Sequence, residues 1–139
     1  MNIEIFSLCD AANQAQGKLN FLGSFDTIYA KEVPLTHPIC AVALRIRFYR
    51  IETGRHHIQL TIVDPDGTPV IKELKATIDV LNPQQKHTSV SINIVMNILG
   101  LAIPAFGDYQ IDLAVDKRQE ASLPLWVVKL EPPSPPRPS

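Results

Sequence analysis

The amino-acid sequence predicts an all-β fold: an antiparallel Greek-key β-sandwich of about eight strands, immunoglobulin-like or related, with little or no helix. Apolar residues recur at every second position in several segments, as in half-buried strands. Seven single prolines lie between those segments, and proline has no amide donor for a sheet ladder. Tyr109 directly follows Gly107-Asp108, which is typical of the tyrosine corner that joins the two sheets of such folds.

The N-terminal half predicts five strands, with turn residues between them. They are Ile3 to Leu8, Lys18 to Ala30 with a kink at Gly23-Ser24, Ala41 to Ile51, a strand whose inner face is Ile58, Leu60 and Ile62, and Val70 to Ile78. Asp64-Pro65-Asp66-Gly67 is a turn, since proline presets φ and glycine allows positive φ. Lys72 and Lys75 indicate a protected edge strand. Asp10 to Gln16 is the one segment that could be helical.

The third strand has two chemically different faces. Val42, Leu44, Ile46 and Phe48 point one way. Arg45, Arg47 and Tyr49 point the other way, toward solvent or a partner.

The C-terminal half continues the same alternation. Thr88 to Leu99 predicts a long strand, because a helix there would mix polar and apolar residues on one stripe. A crossover at Gly100 to Pro104, the Tyr109 strand, a loop at Asp116 to Ser122 and a last strand at Leu125 to Leu130 follow. We expect one domain over residues 1–130 and a proline-rich tail over 131–139.

Composition excludes several classes of function. The net charge of -1 leaves no positive field to hold nucleic acid. No apolar stretch approaches the roughly 18 residues of a membrane span, and no basic region precedes the N-terminal apolar run, so we expect a cytoplasmic, soluble protein. Cys9 and Cys40 lie in apolar surroundings, which favours two small buried thiols over a disulfide.

Metal binding is a weaker alternative. His37, His56, His57 and His87 are imidazoles, but His56 and His57 are adjacent and project to opposite faces of a strand, so we expect a solvated strand start there. Asp64, Asp66 and Asp79 lack the loop of a dedicated calcium site. We therefore expect no metal and no cofactor.

Other chemistry is also weakly indicated. The sequence has no Gly-x-Ser-x-Gly elbow and no glycine-rich phosphate loop, so we do not expect an enzyme. Pro132, Pro135 and Arg137 have the spacing of polyproline-groove ligands, although five prolines in the tail produce such a match easily. Tyr29 and Tyr49 are candidates for stacking on a sugar, while Phe48, Phe106, Tyr109 and Trp126 are expected in the core.

Several segments together resemble a family of small bacterial proteins known only as a domain of unknown function. They are Leu8-Cys9-Asp10, Gly17 to Ile28, Pro34 to Pro38, His57 to Gly67 with its Gln59-Leu60, Ile62, Asp64 and Asp66, and Phe106-Gly107 with Tyr109. The resemblance extends to about Leu130 and excludes the proline tail. It implies an intracellular bacterial β-domain without established activity, and it offers no functional residues to carry over.

The sequence thus predicts a non-enzymatic protein-interaction or structural module. Self-association would use the face formed by Arg45, Arg47 and Tyr49, since arginine and tyrosine are enriched at interfaces, or an open sheet edge. The alternative is a small-molecule or carbohydrate site in a cleft at one end, near His37 or His57.

Overall fold

A computed structural model describes residues 1–131, and their regular structure is all β apart from two short 3-10 turns. The nine strands are β1 (Asn2–Ala15), β2 (Lys18–Ser24), β3 (Thr27–Ala30), β4 (Leu35–Tyr49), β5 (Gly54–Val63), β6 (Leu74–Val80), β7 (Ser89–Ile103), β8 (Gly107–Val115) and β9 (Arg118–Lys129). Sheet A has the order β2-β1-β4-β7, and sheet B has the order β3-β9-β8-β5-β6. The proline-rich tail predicted from the sequence lies, from residue 132 onward, outside the described residues.

The two sheets enclose one apolar core. The predicted inner residues of β4, β5 and β8 are all buried: Val42, Leu44, Ile46, Phe48, Ile58, Leu60, Ile62, Tyr109, Ile111, Leu113 and Val115. Removing each such side chain from water contributes roughly 1.5–3 kcal/mol, so the alternation alone accounts for much of the driving force that joins the sheets.

The segment predicted as one kinked strand, Lys18 to Ala30, is two strands in different sheets. β2 belongs to sheet A and β3 to sheet B. Between them Phe25 donates its N–H to Leu8 O of sheet A at 2.9 Å, and Asp26 O accepts the N–H of Trp126 of sheet B at 2.8 Å. β3 pairs in parallel with β9, so the prediction of a wholly antiparallel fold is wrong for this pair.

Asp10 to Gln16 is not helical. Asp10 through Ala15 continue β1, and Gln16 and Gly17 turn into β2 with φ values of 52° and 74°. Two residues with positive φ form the turn that matches the twist of a hairpin. The β1–β2 hairpin contacts β7, two strands away in the sheet, and Asn93 donates to Gly17 O at 3.1 Å. The hairpin therefore bends across the outer face of sheet A.

Three small side chains lie beneath this hairpin on the outer face of sheet A. Cys9, Ala41 and Ala43 are buried there, with Ala12, Leu19 and Val95 packed against them. Cys40, one residue from Ala41, points into the main core instead. Both thiols are free and buried, which confirms the prediction of two buried thiols rather than a disulfide.

Three predicted strand boundaries from Val70 onward are wrong. β7 continues through Gly100, whose φ of 62° only glycine adopts easily, so the crossover is confined to residues 104–106. Asp116 and Lys117, with φ values of 52° and 67°, form a tight turn where a loop to Ser122 was expected, and β9 begins at Arg118. β6 begins at Leu74 and not at Val70.

Tyr109 makes the predicted tyrosine corner. Its hydroxyl donates to Ala105 O at 2.7 Å, and Ala105 lies in the connection between β7 of sheet A and β8 of sheet B. The ring packs in the core beside this connection, with only 3% of its surface exposed. The hydrogen bond satisfies a hydroxyl that burial would otherwise leave without a partner.

Candidate interaction surfaces

The predicted residues Arg45, Arg47 and Tyr49 share the outer face of sheet A with Glu4 of β1. Arg45 Nε donates to Glu4 Oε1 and Arg47 Nε to Glu4 Oε2, both at 2.9 Å. Hydrogen bonds from Arg47 and then Arg45 hold the pKa of Glu4 below its usual value. We call this surface, formed by Glu4, Arg45, Arg47, Tyr49, Ser89 and Asn93, the arginine face.

β7 completes the arginine face. Arg45 Nη1 donates to Asn93 Oδ1 at 3.2 Å, and Arg47 Nη1 donates to Ser89 Oγ at 3.0 Å. The guanidinium groups therefore bridge β1, β4 and β7 and are fixed in place. Tyr49, at the end of β4, leaves 45% of its surface exposed. The arginine face thus presents two oriented guanidinium groups, and the single carboxylate of Glu4 neutralises half of their combined charge.

The structure does not bring His37 and His57 together. His37 lies in β4 of sheet A, with its ring centroid 5.8 Å from that of Phe25. His57 lies on the exposed side of β5 in sheet B, where its Nδ1 is 3.2 Å from Thr77 Oγ1. They belong to different environments and do not form one site.

His56, which we expected at a solvated strand start, is instead held in a cluster of polar contacts. Its ring stacks on Phe48 with centroids 4.6 Å apart. Nδ1 lies 2.6 Å from Asp116 Oδ2, and Nε2 lies 2.5 Å from Glu52 O. His56 is two positions before the buried Ile58, and residues two apart on a strand point to the same side. This spacing is the sequence signal that places His56 on the core side.

A charged cleft of about 420 Å³ adjoins His56 at this end of the molecule. The amino group of Met1 lies 2.8 Å from Glu52 Oε1, and Arg118 and Glu120 complete the rim. Within residues 1–131, no group of three or more His, Cys, Asp or Glu side chains is placed to hold a metal ion. Asp64 stabilises the β-turn that it begins, because its Oδ1 accepts the N–H of Asp66 at 2.9 Å and that of Thr68 at 2.8 Å.

Trp126 is not in the core, contrary to expectation. Its neighbours Leu125 and Val127 point inward and are buried, which turns the indole to the outer face of sheet B with 39% of its surface exposed. Tyr29 lies on the same face, since Thr27 is paired with Trp126 and Tyr29 with Val128. Tyr49 is on sheet A, so the two predicted sugar-stacking tyrosines do not share a platform.

β7 forms one edge of sheet A. It pairs with β4 from Ser89 to Ile103, and no strand of the described residues pairs with its other side. Its 15 residues, SVSINIVMNILGLAI, include no charged residue and no proline. We call the unpaired side of this strand the β7 edge. The sequence alone does not reveal it, because an edge depends on the order of the strands.

The fold and these surfaces define a two-sheet all-β protein whose polar groups lie mainly on the outer faces. Residues 4–128 match the family of unknown function DUF6941, and the chain belongs to that family. This confirms the resemblance to a family of unknown function. No curated protein matches the chain. No helix in residues 1–131 is long and apolar enough to cross a membrane.

Proposed function

We propose that this protein is a non-enzymatic interaction module that self-associates through the β7 edge, with the arginine face beside the contact. The observation that supports this proposal is the length of that edge and its lack of charge. Each unpaired amide and carbonyl along it can be satisfied by another strand, and antiparallel addition of a second copy would extend sheet A to a continuous sheet across two molecules.

The other sheet edges carry the features that prevent such pairing. β6 bears Lys75 and Asp79, and β3 is only four residues long. β2 begins with Lys18 and is held in the bent hairpin. Natural proteins protect edges with charge, short strands and distortion, and β7 has none of these over most of its length.

The side-chain pattern of β7 favours a second copy as the occupant. An antiparallel pair of identical strands about a two-fold axis through one residue places inward residues opposite inward residues. Ile92, Ile94 and Met96 then continue the core side, while Ser91, Asn93 and Asn97 meet on the outer side. Such an isologous contact closes at two copies.

The arginine face would lie next to this contact in each copy. Glu4 neutralises half of the charge of the two guanidinium groups, which reduces the like-charge repulsion between the two faces. The arginines also orient Ser89 and Asn93 on β7 itself. The sequence-predicted face thus supports the edge and is not the main contact.

Sedimentation velocity of the full chain over a range of concentrations tests this proposal. We expect a concentration-dependent dimer, and we expect Ser91→Lys with Asn97→Lys to shift it to monomer, because lysines on an edge oppose pairing. Thr77→Lys on the β6 edge is the matched control and should leave the dimer unchanged. A wild-type monomer at all concentrations contradicts the proposal.

Cysteine crosslinking identifies the register. Cys9 and Cys40 are buried, so a cysteine introduced singly at Ser91, Asn93, Val95 or Asn97 is the accessible thiol. Only a residue near the two-fold axis brings its Cα atoms within the roughly 4.4–6.8 Å that a disulfide requires. One position should therefore form a disulfide dimer far more readily than the others. Equal, weak crosslinking at all four would indicate random collision.

Two finer features accompany the proposal. The tyrosine corner and the pairing of β8 with both β5 and β9 support a relationship to Greek-key, immunoglobulin-like sandwiches. Two free thiols are compatible with a reducing compartment such as a bacterial cytoplasm.

A further inference from the structure

We propose that the outer face of sheet B carries a binding site for a neutral oligosaccharide, centred on Trp126. A groove of about 590 Å³ lies over β8 and β9, with the indole at one end. A partly exposed indole on a sheet face offers a flat apolar surface, and the apolar faces of sugar rings stack on such surfaces. This site is distinct from the β7 edge, which belongs to the other sheet.

Polar side chains continue the groove from Trp126 along β8. Asp108, Gln110 and Asp112 occupy successive outward positions, about 6.8 Å apart. They lie opposite Trp126, Pro124 and Ser122 of β9, respectively. A row of this kind provides hydrogen-bonding groups at regular intervals beside an aromatic ring, as an extended ligand with repeating units requires.

Hydrogen bonds orient the polar groups before any ligand arrives. Asp112 Oδ1 accepts from Gln110 Nε2 at 2.6 Å and from Ser122 Oγ at 2.8 Å. Gln119 Nε2 donates to Ser122 Oγ at 2.9 Å. The network contains amide, hydroxyl and carboxylate groups, so a ligand can donate to their remaining oxygen acceptors and can take the place of an internal acceptor of the Gln110 amide or the Ser122 hydroxyl. Sugar hydroxyls both donate and accept, which makes them the matching chemistry.

The charged side chains that line the groove restrict the class of ligand that it can bind. Asp64, Asp108 and Asp112 line the groove, and the described lining includes no lysine or arginine. An anionic ligand, such as a phosphate or an acidic sugar, would therefore be repelled. A simple inorganic cation would contact the carboxylates alone and make no use of the exposed indole of Trp126. The remaining class is a neutral, hydroxyl-rich ligand.

The wall of the groove is fixed. Pro65 Cγ lies 3.1 Å from the place where a Cβ on Gly107 would be, so the turn leans closely over the start of β8. The two backbone hydrogen bonds to Asp64 hold that turn. Beyond the Trp126 end, Tyr29 of β3 adds a second ring, with 65% of its surface exposed. The combined length favours an oligosaccharide over a single sugar.

Tryptophan fluorescence tests the site directly, because Trp126 is the only tryptophan in the chain. We would titrate the full chain with cellohexaose, maltohexaose, xylohexaose and chitohexaose. We expect a saturable shift of the emission with at least one of them. Asp112→Ala and Tyr29→Ala should each weaken that affinity by about tenfold or more, since each removes an oriented contact. Tyr49→Ala on sheet A is the matched control and should not change it.

Three outcomes would overturn the inference. One is the absence of a saturable change with all four sugars while circular dichroism shows a folded protein. Another is a sugar affinity that Asp112→Ala and Tyr29→Ala leave unaltered. The third is a response to arginine amide but to none of the sugars, which would indicate a cation site. The Ser91→Lys and Asn97→Lys variant should titrate like the wild type, so this test is independent of self-association.

Discussion

The imidazole of His56 and the carboxylate of Asp116 form an ion pair at 2.6 Å between β5 and the β8–β9 turn. The other ring nitrogen of His56 faces Glu52 O at 2.5 Å, so both nitrogens point at acceptors. Only the doubly protonated ring donates to both. Burial of the ring opposes that charge, but the bonds to Glu52 and Asp116 outweigh it and raise the pKa of His56.

Stability should therefore depend on pH through this pair. The pKa of His56 is raised on folding, so its contribution is fully present below about pH 6.5 and is lost as the pH rises through the raised value. Asp116 is partly buried, but the N–H of His57 and the ring of His56 lower its pKa, so its contribution is present above about pH 4 and is lost on acidification. The pair stabilises most between these limits.

Urea unfolding at pH 5.5 and pH 8.5 checks this dependence. We expect the free energy of unfolding of the wild type to fall toward pH 8.5 and that of His56→Gln to change much less. At pH 5.5 the substitution should cost about 1.5–3 kcal/mol, the usual range for a hydrogen bond to a charged group. The exposed His57→Gln is the control. Equal slopes in wild type and His56→Gln would exclude a role for His56.

Tyr109→Phe should lower the free energy of unfolding by about 1 kcal/mol, because it removes the hydrogen bond from the buried tyrosine to the Ala105 carbonyl. Chemical denaturation measures the change. Tyr29→Phe, at an exposed position, should have no effect. An unchanged midpoint for Tyr109→Phe would mean that water replaces the hydroxyl.

Gly107→Ala should destabilise the protein by about 1–3 kcal/mol for two separable reasons. Its φ of 146° disfavours any Cβ, and the new methyl would meet Pro65 at 3.1 Å. Making the substitution in a Pro65→Ala background removes the steric contact and keeps the backbone strain, so part of the loss should be recovered. Identical losses in both backgrounds would assign the whole effect to φ.

Neither thiol should react in the native protein. Burial, followed by the neighbouring Cys9 and Asp10, raises the pKa of Cys40 to about 11. Burial likewise raises the pKa of Cys9, whose Sγ contacts Ala41 O at 3.4 Å. Ellman's reagent at pH 8 should detect no thiol in the folded chain and both in urea. Rapid labelling of one thiol in the native protein would indicate local opening. A Cys9→Ser variant would then show which of the two thiols reacts.

The sequence predicted those strands whose alternation is set by the core. A hydrophobic period of two was enough to predict which residues of β5 and β8 are buried, namely Ile58, Leu60 and Ile62 and the alternate residues from Tyr109 to Val115. It missed the split at Asp26, because β2 and β3 are separated by hydrogen bonds to Leu8 and Trp126 that no local pattern contains. The sequence also predicted Trp126 in the core, because the side chain is hydrophobic, whereas it points to the outer face of sheet B.

The candidate surfaces were predicted less completely for the same reason. Arg45 and Arg47 were found because they alternate with buried residues on one strand. Their partner Glu4 lies on another strand, and the contact depends on the β1–β4 register. His56 and Asp116 likewise meet only through the pairing of β5 with β8.

The parallel pairing of β3 with β9 has a consequence for how the domain forms. Tyr29 and Ala30, near the start of the chain, have their partners in Val128 and Lys129, near the end of the described residues. A ribosome would therefore release β3 long before β9, its neighbour in sheet B, exists, and contacts this distant in sequence form slowly. β3 must wait without its partner until β9 has been synthesised, and a chain shortened within β9 would detach β3 and leave β8 as an edge of sheet B.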